Sequence, residues 1–110
     1  MNTTVEARVT ATFAALSDPG RRRVLDLVSV SPVTVTDLAD ALDVSLPAAL
    51  KQVRALEAAA LVRTRKVGRT RWCELTPDAG ADVETWFVQR RATWNRRLDR
   101  FEHHLKEIKK

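Results

Sequence analysis

The chain has 110 residues, 45% of them hydrophobic and 30% charged, and it carries a formal net charge of +5. This balance is typical of a globular chain rather than a disordered one, and the length allows one small domain but not two. The single cysteine excludes an intramolecular disulfide. The N-terminus lacks an apolar signal core and no stretch reaches membrane-spanning length, so we expect a soluble cytoplasmic protein.

An apolar stripe with helical spacing marks the first predicted element, a helix over about residues 3–16. The stripe residues are Val5, Val9, Phe13 and Leu16. A second helix begins after Asp18, a suitable N-cap, with Pro19 at its first position. The run Arg21–Arg23 either holds phosphates or pairs with acidic residues of the last helix, with Arg22 or Arg23 as the structural member.

Two short helices follow, over about residues 35–60. Thr34 with Asp37 resembles a capping box that starts a third helix, and the sequence "DVS" over 43–45 is a tight turn. Ser45 caps a fourth helix. Its predicted buried stripe consists of Ala49, Val53, Leu56 and Ala60.

The exposed side of the fourth helix carries the candidate nucleic-acid contacts. At 100° per residue, Lys51 and Arg54 lie opposite Ala49, within reach of phosphate or guanine. Leu46 and Leu50 cannot donate hydrogen bonds but can contact thymine methyl groups, and the alternative for both is packing against the third helix or the hairpin. The residues of this helix predicted to contact DNA are Ser45, Leu46, Pro47, Ala48, Leu50, Lys51 and Arg54.

From Leu61 the apolar period changes to two, which predicts a β-hairpin over about residues 61–75 with a turn at Gly68-Arg69. Seven Lys or Arg and two Glu lie between Ser45 and Leu75, so this window holds the whole net charge of +5. Such clustering is typical of a polyanion partner. Alternation at period two favours one shared face for Arg63, Arg65, Arg69 and Arg71. The hairpin residues predicted to contact DNA are Arg65, Lys66, Arg69 and Arg71, with Lys66 and Arg69 nearest the tip.

A long helix is predicted over about residues 77–108, with Thr76 as N-cap and Pro77 as its first residue. It carries a heptad seam interrupted by Arg91. The helix runs for about thirty residues, or about 45 Å, which exceeds what so small a body covers and predicts a dimer. The seam residues are Phe87, Trp94, Leu98, Phe101, Leu105 and Ile108. The predicted dimer interface combines Val5, Val9, Phe13, Phe87, Trp94, Leu98, Phe101 and Leu105.

Four segments together resemble the winged-helix repressors of the ArsR/SmtB family. They are "FAALSDPGRRRVLDLV" (13–28), "VTDLADALDVSLPAALKQVRALEAAALV" (35–62), "VGRTRWCELTPDA" (67–79) and "TWNRRLDRFEHHL" (93–105). The resemblance implies a mainly α winged helix-turn-helix that dimerises through its first and last helices. It also implies that the fourth helix enters the major groove and that the protein represses transcription at a pseudo-palindromic operator, commonly its own promoter. The chain departs from the family pattern at four positions. Family members often carry a polar residue at the position of Leu46 and Ser at that of Leu50. They often carry His at the position of Gln52 and Gly at that of Ala60.

The sequence gives weaker support for a metal site or an enzyme than for a DNA-binding protein. The family's cysteine metal site has no counterpart in "VTVTDLADAL", and we predict no metal or cofactor. Asp99, His103, His104 and Glu107 in the tail form a candidate cluster, for which a solvated helix face is the alternative. Cys73 is expected to pack as a small apolar residue.

No nucleophile–base pair or phosphate loop is visible, which disfavours an enzyme. The alternatives left open are a metal-responsive repressor, a repressor that binds a small molecule between its first and last helices, and a helical protein-interaction module.

Overall fold

The computed structural model describes residues 3–109, and these form five helices and a three-stranded sheet. The elements are α1 (Thr3–Leu16), α2 (Pro19–Val28), β1 (Val33–Thr34), α3 (Val35–Leu42), α4 (Leu46–Ala58), β2 (Val62–Val67), β3 (Thr70–Leu75) and α5 (Ala81–Ile108). The chain divides after Gly80 into two compact units, the second consisting of the α5 segment. The predicted fold class, mainly α with a β-hairpin, is confirmed.

Side-chain caps start three of the four helices for which the sequence predicted them; the fourth, Thr76, does not cap the last helix, which begins at Ala81. Asp18 accepts a hydrogen bond from the backbone N–H of Arg21 at 3.0 Å. Thr34 and Ser45 accept from the N–H groups three residues further on, at 3.1 and 3.3 Å. Each cap satisfies a backbone donor that the first turn of a helix leaves unpaired.

The turn between α3 and α4 is short because α3 ends in a left-handed residue. Asp43 adopts φ +55° and ψ +48°. Its N–H bonds the carbonyl of Asp40 at 3.1 Å, and the N–H of Val44 bonds the carbonyl of Ala39 at 3.0 Å. This pair of bonds is the Schellman motif, and an aspartate tolerates the left-handed region better than most residues. Two residues then suffice to reach α4.

The end of α4 differs from the prediction. The buried stripe is confirmed at Ala49, Val53 and Leu56, but Ala60 is exposed and lies beyond the helix. Its φ of +60° is left-handed, so the chain turns away before Ala60 reaches the core. Its conformation belongs to a second Schellman motif, which leads the chain towards Leu61 and β2.

The sheet contains one strand that the sequence did not reveal. β3 pairs antiparallel with β2 over its whole length and with β1 at Val33↔Cys73 and Thr34↔Trp72. β1 is two residues long, too short for an alternating pattern to be visible. It anchors the start of α3 to the hairpin, because Thr34 is also the N-cap of α3.

The core joins the helix-turn-helix to the sheet. Leu38 of α3, Leu56 of α4 and Cys73 of β3 are fully buried in one cluster together with Val24 of α2. A second cluster holds Val35, Ala39 and Ala49, with Leu50 packed against it. Both clusters fix α4 on α3 and thereby set the direction of its exposed side.

The last helix starts later than predicted. Residues 77–80 form turns, and α5 begins at Ala81 instead of Pro77. Gly80 has φ +76°, a value that no right-handed helix contains, so the helix cannot extend back across it. None of the helices within residues 3–109 is long and apolar enough to span a bilayer.

Candidate nucleic-acid interface

The exposed face of α4 presents two cations that are available for an external partner. Lys51 and Arg54 are exposed, and neither side chain forms a hydrogen bond or an ion pair with another of residues 3–109. Pro47 is exposed beside them, whereas Ala48 is half-buried. The hydroxyl of Ser45 is already bound to the N–H of Ala48 as a helix cap.

The two leucines at the start of α4 have different environments. Leu46 is 50% exposed, whereas the large apolar residues Val53 and Leu56 of the same helix are fully buried. Leu50 is half-buried and packs against the cluster of Val35, Ala39 and Ala49. Packing against the third helix, one of the two roles considered for Leu50, therefore describes its position in the folded chain.

The predicted common face of the hairpin arginines is wrong. In the register, Arg65 lies opposite Trp72 and Lys66 lies opposite Arg71. Because cross-strand partners share a face and neighbours along a strand do not, Arg71 lies on the Lys66 face, opposite to the Arg65 face. Arg69 belongs to the two-residue turn, whose first residue Gly68 has φ +62°.

Most hairpin cations near the body of the protein have partners within the chain. Arg63 donates to a Glu74 oxygen at 2.9 Å, and Arg65 lies 3.7 Å from the other oxygen of that carboxylate. Arg71 donates to the hydroxyl of Thr64 at 3.0 Å. Towards the tip, Lys66 and Arg69 are exposed, and for these two no ion pair or hydrogen bond to another described residue is found.

An open groove of about 500 Å³ lies between the helix-turn-helix and the hairpin. The start of α3 forms one wall, the first turns of α4 a second, and the hairpin next to its tip a third. Its lining residues are Thr34, Val35, Thr36, Asp37, Leu46, Leu50, Arg69, Thr70 and Arg71. The groove brings together predicted contact residues of α4 and of the hairpin, and it adds the start of α3, which the sequence analysis did not assign to the site.

The arginine run of α2 is structural in a way that differs from the prediction. Arg21 is half-buried and donates to the carbonyl oxygens of Ala14 and Ala15 at the end of α1. Arg22 donates to the carbonyl oxygen of Leu16 at 2.6 Å. Both arginines therefore cap the C-terminus of α1, where a cation is favoured by the helix dipole, and Arg21 is the more engaged of the two.

Cys73 and the tail histidines are the remaining residues considered for metal binding or redox chemistry. Burial, assisted by the negative charges of Glu57 and Glu74, raises the pKa of the Cys73 thiol to about 11. His103 Nε2 lies 3.0 Å from a carboxylate oxygen of Glu107, one helical turn away and well exposed. Within residues 3–109, no three His, Cys, Asp or Glu side chains are grouped closely enough to hold a metal ion.

The α5 helix exposes its apolar seam. Trp94, Phe101 and Ile108 are 63%, 58% and 64% exposed, and no residue of the helix is buried. In its first turns, the ring of Trp86 meets that of Phe87 edge-on, and Arg90 stacks 4.3 Å above Trp86. In α1, Phe13 is 41% exposed, whereas Val9 is already buried within one chain.

Comparison with known proteins places this architecture in a family. A model of a helix-turn-helix domain matches residues 16–65. The transcriptional repressor SmtB homolog of Synechocystis is 42% identical over 57 residues, which cover 52% of this chain but only 43% of that relative.

Solved structures extend the match to most of the chain. The crystal structure of an ArsR family transcriptional regulator is 36% identical, with a TM-score of 0.76, and the match covers 82% of this chain and 93% of that one. A homodimeric winged helix-turn-helix DNA-binding domain from Mycobacterium bovis is 25% identical, with a TM-score of 0.64 and coverages of 84% and 82%. The chain therefore belongs to the ArsR family of transcriptional regulators, with the winged helix-turn-helix fold.

Proposed function

We propose that the protein is a DNA-binding transcriptional repressor that acts as a homodimer at a pseudo-palindromic operator. The observation that carries the proposal is the groove between α4 and the hairpin, together with exposed cations on both of these elements whose side chains have no partner among residues 3–109. Lys51 and Arg54 extend from α4, and Lys66 and Arg69 stand at the hairpin tip. Because its proposed partner is genomic DNA, the protein would act in the cytoplasm.

Each element has a distinct part in this proposal. The N-terminal half of α4 enters the major groove, where Lys51 and Arg54 contact phosphates or guanine edges. Arg69 at the hairpin tip is suited to a narrow minor groove. Leu46, half exposed and unable to hydrogen-bond through its side chain, contacts a thymine methyl group. Leu50 is already packed against α3, so its role is to hold α4 in place.

The α5 seam supports the dimer. Large apolar side chains exposed at seven-residue intervals from Phe87 to Ile108 are costly in water, and a second copy of the same helix would cover them. The Mycobacterium bovis relative is described as homodimeric. A dimer also suits a two-fold operator, because each subunit then reads one half-site.

Salt dependence of DNA binding tests the proposal. Binding of the protein to a fragment of its own promoter is measured by fluorescence anisotropy from about 50 to about 200 mM salt, where phosphate contacts give a steep loss of affinity. Lys51→Ala and Arg54→Ala should each weaken binding and lower the salt slope by about one.

The matched control is Arg63→Gln. It removes one positive charge from the same segment, but from a side chain already paired with Glu74. We expect its salt slope to stay near that of the unaltered protein. An affinity that does not change with salt would refute the proposal and favour a protein-interaction module instead. Equal effects of all three substitutions would leave α4 without a distinct role at the DNA.

A further inference from the structure

We propose that Gln52 is a positioning residue that sets the orientation of α4 on its operator. In this proposal Arg21 links the Gln52 side chain to the end of α1. The inference rests on the DNA-binding function proposed above and identifies what orients the recognition helix. It comes from a polar cluster at the junction of three helices, formed by Asp18, Arg21 and Gln52.

Arg21 is the centre of this cluster. Its Nε donates to the carbonyl of Ala15 at 2.6 Å and one Nη to the carbonyl of Ala14 at 3.1 Å, while the other Nη donates to Oε1 of Gln52 at 3.3 Å. The guanidinium is planar, and its donors are fixed relative to one another. The three bonds therefore hold the end of α1 and the side of α4 in one relative position.

Asp18 holds the other end of the Gln52 amide. Its Oδ2 accepts from Nε2 of Gln52 at 3.1 Å and from the backbone N–H of Arg21 at 3.0 Å. These bonds, the N–H of Arg21 foremost, hold the pKa of the Asp18 carboxyl below its ordinary value. The oxygen and the nitrogen of the amide each have a partner, so the side chain has one preferred orientation.

Gly20 leaves the space that this arrangement needs. A Cβ atom at position 20 would lie 3.0 Å from both Oδ2 of Asp18 and Nε2 of Gln52. A larger residue would therefore press on both groups whose hydrogen bond closes the cluster, and they would have to move by a few tenths of an ångström.

The position of Gln52 on α4 indicates how it acts. It is half-buried, and at 100° per residue it points about 160° away from Arg54 and about 100° from Lys51. It therefore acts on DNA through the orientation of the helix. A small rotation or shift of α4 would move both cations off their contacts, and binding geometry is sensitive to errors of about 1 Å.

The test compares operator preference among variants of Gln52, Arg21 and Arg22. A duplex obtained by selection from random DNA and a scrambled duplex of the same composition are titrated at one salt concentration, and the ratio of the two affinities is the readout. Gln52→Leu and Arg21→Gln should each lower this ratio about tenfold, as much as one mismatched base pair does. Because both substitutions break the same link, the double variant should lose no more than either single one.

Arg22→Gln is the matched control, since it removes the same charge and a similar cap bond from the end of α1 without touching α4. Its ratio should stay within about twofold of the unaltered protein. Gln52→Glu serves where Gln52→Leu does not fold: it keeps the shape and can still accept from Arg21, but it sets a carboxylate against Asp18, and it should also lower the ratio. Thermal melts verify that each titrated variant is folded.

Two results would overturn the inference while the proposed function stands. One is operator preference in the Gln52 and Arg21 variants equal to that of Arg22→Gln. The other is a double variant whose loss is the product of the single losses, since this would mean that Gln52 touches the DNA independently of Arg21. A protein that shows no salt-dependent binding to either duplex would instead refute the proposed function, and with it the inference.

Discussion

Replacing Ala60 by glycine should stabilise the protein, because the residue lies in a conformation that suits glycine. Ala60 has φ +60° and follows Ala59, the C-cap of α4. Its N–H bonds the carbonyl of Glu57 at 2.9 Å, and the N–H of Leu61 bonds the carbonyl of Leu56 at 3.0 Å. Leu56 and Leu61 also share the same core cluster, so the motif cannot relax without disturbing that cluster.

The magnitude follows from two opposing terms. A left-handed residue with a Cβ costs roughly 1–2 kcal/mol, and glycine loses roughly 0.5–1 kcal/mol more backbone entropy on folding. Ala60→Gly should therefore raise the free energy of unfolding by about 1 kcal/mol and Tm by about 4 °C. The assay is urea and thermal unfolding followed by circular dichroism.

The neighbouring helical residue provides the comparison. Ala58 is exposed and is the last residue of α4, where the helical backbone makes glycine less favourable than alanine by up to about 1 kcal/mol. The two substitutions are chemically identical, two residues apart, and should have opposite signs. If Ala60→Gly destabilises the protein as Ala58→Gly does, the left-handed strain at position 60 does not exist.

Three further outcomes are expected. Trp94→Ala should shift the protein towards monomer in analytical ultracentrifugation, whereas Val30→Ala, at an 86% exposed site outside α5, should not. Leu46→Ala should reduce the preference for thymine at one selected operator position with little effect on unfolding, whereas Leu50→Ala should lower the free energy of unfolding by about 2 kcal/mol because Leu50 packs against α3. With the Cys73 pKa raised to about 11 from 9.0, the folded state keeps a proton that the unfolded chain releases. Stability should therefore fall as pH rises from about 9 towards 11, and urea midpoints measured across this range should fall less in Cys73→Ala.

Local signals explain which parts of the fold could be predicted from the sequence. The caps at Asp18, Thr34 and Ser45 depend on a side chain and a backbone group three residues apart, so the sequence contains all that they require. The two-residue strand β1 depends instead on its partner Trp72 and on Cys73 beside it, almost forty residues away. A glycine in the first turn of a helix weakens it, but the left-handed conformation of Gly80, which moves the start of the last helix to Ala81, is visible only in the folded chain.

The cations of the candidate site show the same contrast between local features, which the sequence predicts, and features that depend on distant partners. The sequence located the whole excess between Ser45 and Leu75, but it could not assign individual cations, because pairing depends on strand register. A two-residue turn joins β2 to β3, so an odd-numbered residue of one strand faces an even-numbered residue of the other. This parity places Arg63 opposite Glu74 and separates Arg71 from Arg65. With Glu74 shared by two arginines, the cations left for a polyanion are those of α4 and of the hairpin tip. The arginines of the hairpin body then mainly stabilise the wing, and substitutions there should affect stability before they affect the salt dependence of DNA binding.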